Sequence, residues 1–214
     1  MADAVKRRYD ASRRQAGARR TRGQVLEAAR RLFVEGGYAE TTVTTLAADA
    51  GVSPETVYAT FGSKAGVLKA LFDVTVVGDD EPVGLLDREV IRGIRDERDA
   101  HVALAGYAAF VAEVNPRLAP VQLLVESAAA GDPAIADLAA AVAGQRLHGM
   151  SLLAAKLADD GALASGVSAD EARDVLWTTN SAQVFDLLVN QRGWSLPRYQ
   201  RWLASTWAAL LLGD

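Results

Sequence analysis

The four residues Gly51-Val52-Ser53-Pro54 constrain the fold around them more tightly than any other part of this chain. Upstream, Thr42 stands at an N-cap position and Leu46, Ala47 and Ala50 form an inner stripe. Gly51 ends that helix, because helices commonly stop on a residue able to take positive φ. Ser53 offers a side-chain oxygen to the free amides of a second helix, and Pro54 fits its first position, where a missing N–H is harmless. Val57 and Phe61 then face inward, leaving Glu55, Thr56, Tyr58 and Thr60 outward. Two short helices joined by a tight turn, with polar residues on the free face of the second, predict a helix-turn-helix whose second helix enters a DNA major groove.

The rest of the chain predicts an all-α class. Half of its 214 residues are hydrophobic, Ala and Leu dominate, and no alternating strand pattern occurs. There is no cysteine, which excludes disulfide and thiolate chemistry. No apolar run approaches the roughly 18 residues of a membrane span, and the N-terminus is too charged for a signal peptide. The expected location is the cytoplasm, at the nucleoid, with no membrane partner. The net charge of −4 argues against nucleic acid until its distribution is read. Residues 1–75 hold 12 Lys and Arg against 8 Asp and Glu, whereas residues 76–214 hold 11 against 19. A positive head on an acidic body fits a DNA-reading module joined to a part that does not touch DNA.

The expected organisation is a flexible basic arm or frayed helix over residues 1–20, a helix-turn-helix domain over 21–75, and an effector-binding and dimerisation domain over 76–214. Thr21 to Gln24 read as a capping box opening a helix that ends at Gly36-Gly37. Ser63 caps a helix reaching about Val76, and residues 78–98 read as the junction. In the body, helices are expected from about Glu97 to Val114, stopping before Pro116, and from about Arg117 to Ala130. A third starts at Asp132-Pro133 and reaches about Asp159. Ser168-x-x-Glu171 opens a helix expected to run to Gly193, and Ser195-Leu196-Pro197 starts the last one.

The segment resembles the DNA-binding domain of the tetracycline-repressor (TetR) family of bacterial transcription regulators. The matching residues are Phe33, Gly36 and Tyr38, then Thr41 to Val43, Leu46 to Ser53, Thr56 to Tyr58, Phe61, and Ser63-Lys64. The likeness covers about residues 20 to 75. The helix carrying Trp177 and the stretch Arg192 to Leu203 look like a subset of the family. The resemblance implies that Thr44, Ser53, Glu55, Thr56, Tyr58, Ala59, Thr60 and Lys64 face double-stranded DNA. Tyr58 and Thr56 suit phosphate oxygens, and Lys64 adds charge to a helix N-terminus. Position 59, often large or polar in the family, is alanine here. Base reading is therefore expected to lean on Ala59 or Thr60 against a thymine methyl, on Glu55 accepting from cytosine N4, and on DNA shape. The arm arginines Arg13, Arg14, Arg19, Arg20 and Arg22 reach phosphates or the minor groove, or else only solvent.

In the body, Tyr107, Phe110, Leu124, Met150, Leu153, Leu157, Trp177, Asn180 and Gln183 are candidates to line a pocket for an unidentified small-molecule effector. On the last two helices, Leu187, Trp202, Leu203, Thr206, Trp207 and Leu210 make a wide apolar face. Such a face needs a cover, and a two-fold partner is the commonest; intramolecular core is the other reading. The resemblance implies a homodimer with a four-helix interface. Catalysis is not expected: His101 and His148 are isolated, and no metal, P-loop or nucleophile motif occurs. No metal or cofactor is expected. The sequence thus reads as a ligand-responsive regulator, with repression the expected sign. Two alternatives stay open: an effector-independent regulator, and a helical ligand-binding or interaction protein with weak DNA binding.

Overall fold

Caps and glycines set the first turns. The Thr42 hydroxyl accepts the Thr45 amide at 3.0 Å, and Gly51 closes the helix at φ 67°. Ser53 accepts the Thr56 amide, and Ser63 accepts that of Gly66. The computed structural model describes residues 2–78 and 84–213, with side chains from residue 16 onward. Its helices are α1 (Ala2–Gly36), α2 (Val43–Ala50), α3 (Pro54–Phe61), α4 (Lys64–Val77), α5 (Glu89–Asp96), α6 (Ala100–Ala128), α7 (Pro133–Asp159), α8 (Ala169–Thr179), α9 (Ala182–Phe185) and α10 (Leu196–Leu211). A 3₁₀ turn at Leu85–Asp87 precedes α5, and α9 runs into a π-helical segment, Asp186–Gln191. There is no strand among the described residues, and the chain is all-α. Part of the expected junction, residues 79–83, lies outside the described residues.

Three boundaries differ from the sequence reading. The helix expected to open at Thr21 begins at Ala2. Residues 2–20 are rich in Ala and Arg, contain no proline, and nothing crowds Gly17, so no local signal stops the helix. Thr21 is therefore interior and caps nothing.

The two helices expected on either side of Pro116 are one, α6, with Pro116 and Pro120 inside it. Proline removes an intrahelical hydrogen bond. Here Pro116 is exposed, whereas Val111, Ala112, Val114, Asn115, Ala119 and Val121 flank it in the core. Burial on both sides holds the helix together across the gap. The helix expected from Ser168 to Gly193 is instead broken. Its capping box forms as expected, but Asn180 leaves the helical region at φ −90°, ψ 34°. Ser181 then caps a new start by accepting the Val184 amide at 3.2 Å.

Two buried cores result. One joins α1–α4 to the second half of α6 and the first half of α7 through Val121, Val125, Ile135, Leu138 and Val142. The other packs the first half of α6 and the end of α7 against α8, α9 and α10. The C-terminus is fastened back on the α7–α8 loop, where Ala164 donates to the Leu211 carbonyl at 2.9 Å and Gly213 to that of Ala162.

Candidate functional site

On α3, Val57 is buried against the head core, while Glu55, Tyr58, Ala59 and Thr60 face outward. Tyr58 is 53% exposed, the large side chain of this surface. Thr44 on α2 is exposed, and Ser53 sits exposed at the cap of α3. Thr56 is half-buried, its hydroxyl 3.2 Å from that of Ser53. The Thr60 hydroxyl donates to the Thr56 carbonyl at 2.7 Å, so what it offers outward is mainly its methyl group. A hydrogen bond from Ser53, then one from its own amide, holds the Glu55 carboxyl below the usual carboxylate range. Glu55 is thus an acceptor that repels phosphate and suits a base amino group.

Lys64 departs from expectation. Its ammonium donates to the carbonyls of Tyr38 at 2.8 Å and Ala39 at 3.5 Å, and lies 4.1 Å from the Tyr38 ring centroid. Its charge is engaged by these groups, which leaves it less available for the phosphate role expected of it. Of the arm, Arg19 and Arg20 are exposed, and Arg22 lies over the Phe61 ring at 5.1 Å. Arg13 and Arg14 fall outside the described side chains.

A set of polar contacts ties the head to the body. The Tyr38 hydroxyl donates to Asp132 at 2.8 Å, and Asp132 in turn caps α7 through the Ala134 amide. Arg30 of α1 donates to the Thr75 hydroxyl at 2.7 Å, and Arg117 of α6 donates to the Thr75 carbonyl at 3.1 Å. That carbonyl belongs to the last turn of α4, whose acceptors have no partner within the helix. The end of α4 is therefore held by a body residue.

The hydrogen bond from Tyr38, then those from the Ala134 and Ile135 amides, lower the Asp132 pKa from its ordinary 3.8. Its contribution is full above that value and is lost as pH falls through the depressed one. Tyr38→Phe removes the largest cause. Its thermal midpoint is expected to fall less between pH 5 and pH 3 than that of the wild type, as scanning calorimetry would record.

The candidate effector residues divide. Tyr107, Met150, Leu153 and Leu157 are buried, with Phe110 and Trp177 packed against the same core. Asn180 donates to the Tyr107 hydroxyl at 2.9 Å, which itself donates to the Met150 sulfur at 3.6 Å. Leu124 does not join them. It packs on the head core and lines a groove of about 410 Å³ with Tyr38, Lys64, Ser127 and Asp132. Gln183 is exposed and bonded to Glu126.

The candidate interface divides likewise. Leu203 and Trp207 have no exposed surface; they are core residues of the subunit, which corrects their expected interface role. The Trp207 ring stacks on Tyr107, and its indole donates to Thr179 at 2.7 Å. Trp202 and Thr206 are half-buried, and Leu187 and Leu210 are about half exposed. Leu210 borders a groove of about 590 Å³ between α8 and α10, with Val167, Val175 and Thr178.

Residues 25–71, from the middle of α1 to α4, match the family model for bacterial regulatory proteins of the tetR family. The match spans the head alone, which resembles the DNA-binding head of tetR-family regulators. No curated protein matches the chain by sequence. Solved structures share its overall fold. SmeT, the repressor of the Stenotrophomonas maltophilia multidrug efflux pump SmeDEF, solved with triclosan, is 23% identical over 91% of this chain and 92% of that one, with a TM-score of 0.72. A Bacillus subtilis FadR regulator in complex with stearoyl-CoA is 20% identical over 86% and 96%, with a TM-score of 0.69. A Saccharomonospora viridis regulator in complex with choline reaches 0.69 at 20% identity, over 90% and 98%. At these identities the likeness is one of fold.

Several contacts around the head were not visible in the sequence. The partners of Tyr38, Arg30 and Arg117 are 94, 45 and 42 residues away, and no local pattern announces them. Arg146 had a signal. It interrupts the buried stripe Val142, Met150, Leu153, Leu157 on α7, standing four residues from each of the first two. No described helix is long and apolar enough to cross a membrane.

Proposed function

We propose that this chain is a homodimeric, ligand-responsive transcriptional regulator that represses by occupying a pseudo-palindromic operator and is released by a small molecule. The observation that carries this reading is the outward face of α3, with Tyr58 half-exposed on a capped helix inside the matched head. Tyr58 and Thr56 position the protein on phosphates, while Ala59, the Thr60 methyl and Glu55 meet base edges. Exposed Leu210 and the α8–α10 groove favour a two-fold partner there. A dimer places its two recognition helices about one helical turn apart along the duplex.

Release is a population shift. Arg117 holds the end of α4, and the head core continues into α6 and α7, so a movement of those helices carries the head with it. An effector acts only to the extent that it prefers the state that does not bind DNA. A preference of about 2–3 kcal/mol weakens DNA binding roughly 30- to 150-fold. The effector-bound structures of similar fold support a body built to receive a guest.

The test is fluorescence anisotropy of the protein on DNA from upstream of its own gene, with excess non-specific competitor and varied salt. Saturable binding that resists competitor is the expected result. Binding that competitor abolishes favours the alternative, a ligand-binding protein with weak DNA affinity. The engaged Lys64 ammonium and Thr60 hydroxyl are the observations on its side. In the same assay Tyr58→Ala is expected to weaken operator binding about tenfold, the worth of one lost hydrogen bond per subunit.

A further inference from the structure

Arg146 is a largely buried cation without a carboxylate partner among the described residues. Its guanidinium lies 4.4 Å from the Trp177 ring centroid. One of its terminal nitrogens donates to the Trp177 carbonyl and, at 3.3 Å, to that of Asn180. These are the free acceptors at the end of α8, where a cation is favoured. Its Nε and the Trp177 indole Nε1 are both shielded from solvent, and neither has a hydrogen-bond partner among the described residues. No carboxylate among them lies within ion-pair distance of Arg146. The charge of Glu126 does act on it, but the two Glu126 oxygens are bonded by Gln122 and Gln183. Burial lowers the Arg146 pKa, the direction of a charge short of compensation. Buried donors are ordinarily bonded and buried charges ordinarily paired, so two adjacent exceptions ask for an acceptor.

We propose that the effector of this regulator is an organic acid with an apolar body, its carboxylate bound by Arg146 Nε and the Trp177 indole N–H. The proposal rests on the regulator reading only in calling that ligand an effector. A planar guanidinium matches a planar carboxylate better than any other side chain does. The apolar body would have to part the packed side chains beside the site, among them Tyr107 and Phe110, which stack 6.1 Å apart, and Met150, which accepts from the Tyr107 hydroxyl. The site also connects to the α8–α10 face. Asn180 joins Arg146 to Tyr107 at the point where α8 is interrupted, and the groove of the candidate dimer face is lined by α8. An acid that draws on Arg146 therefore acts on the helix that meets the partner subunit.

The experiment uses the full chain and two probe pairs, 4-phenylbutyrate with its amide and decanoate with its amide. Binding is followed by tryptophan fluorescence and titration calorimetry, without DNA. The acids are expected to bind at least about tenfold more tightly than the amides. Arg146→Gln is expected to weaken acid binding about 10- to 100-fold, the worth of a charge-assisted hydrogen bond, while amide binding changes less than about threefold. Trp177→Phe, which keeps a ring under the guanidinium, is expected to weaken acid binding by less. Circular dichroism melts establish that each variant is folded. Equal binding of acid and amide, unchanged acid binding in folded Arg146→Gln, or no binding of either acid at millimolar concentration overturns the proposal. The regulator reading fails separately. It falls if the operator assay finds no specific DNA binding, whatever the acids do, and it stands if only neutral compounds release DNA.

Discussion

Trp207→Ala is expected to destabilise the subunit by about 3–5 kcal/mol, the range for removing a fully buried large aromatic side chain. Trp207 has no exposed surface and sits in the second core, its ring 5.5 Å from that of Tyr107. Its indole also supplies the hydrogen bond that the Thr179 oxygen accepts at 2.7 Å. The substitution therefore opens a cavity between α6, α8 and α10 and removes a buried bond in one step. For a domain of this size the loss corresponds to a fall in melting temperature of roughly 6–20 °C. Trp207→Phe keeps most of the ring and forfeits the bond, so its expected loss is only about 1–2 kcal/mol. Guanidinium unfolding at fixed protein concentration separates the two, because dimer stability depends on concentration. If Trp207→Ala unfolds like the wild type but dissociates more readily, the residue belongs to the interface after all.

The second large effect comes from the smallest side chain. Gly66→Ala would ordinarily stabilise a helix by about 1 kcal/mol. At Gly66, in the first turn of α4, an added Cβ falls 2.0 Å from the Phe61 carbonyl oxygen and 3.1 Å from its carbon. Both are backbone atoms at the end of α3, and they have no rotamer to relieve the clash. The expected result is a destabilisation of about 3 kcal/mol, at the upper end of overpacking costs. It comes with displacement of α3 relative to α4 and loss of operator binding in the anisotropy assay. The second core does not include these residues, so the oligomeric state measured by light scattering should survive. Operator binding equal to that of the wild type would mean that α3 accommodates the shift and that its placement tolerates error.

Much of the head was legible because its signals are local. Thr42, Gly51, Ser53, Pro54 and Ser63 act on residues within four positions of themselves, and each cap or stop stands where the sequence puts it. The same holds for the capping box of α8 and the start of α7 at Asp132-Pro133. Local rules failed where burial outweighed them. Pro116 does not end α6, because both sides of it are held in the core. The basic stretch before Thr21 is helical because propensity alone, with no breaker, continues a helix. The break at Asn180 had no cue as strong as the Gly193 that drew the expected end.

The sequence by itself determined the all-α class, the capped helix-turn-helix and the outward face of α3, since caps and apolar periodicity act over a few residues. Tertiary structure decided which apolar residues each core took. An apolar stripe states that a side chain must be covered, not by what, and so Trp207 and Leu203 went to the subunit core while Leu210 stayed exposed. Tertiary structure also turned Lys64 toward the Tyr38 carbonyl, set Arg117 at the end of α4 and left Arg146 beside Trp177 with no acid paired to it among the described residues. A charge finds its partner through space, and these partners lie 26 to 42 residues away along the chain.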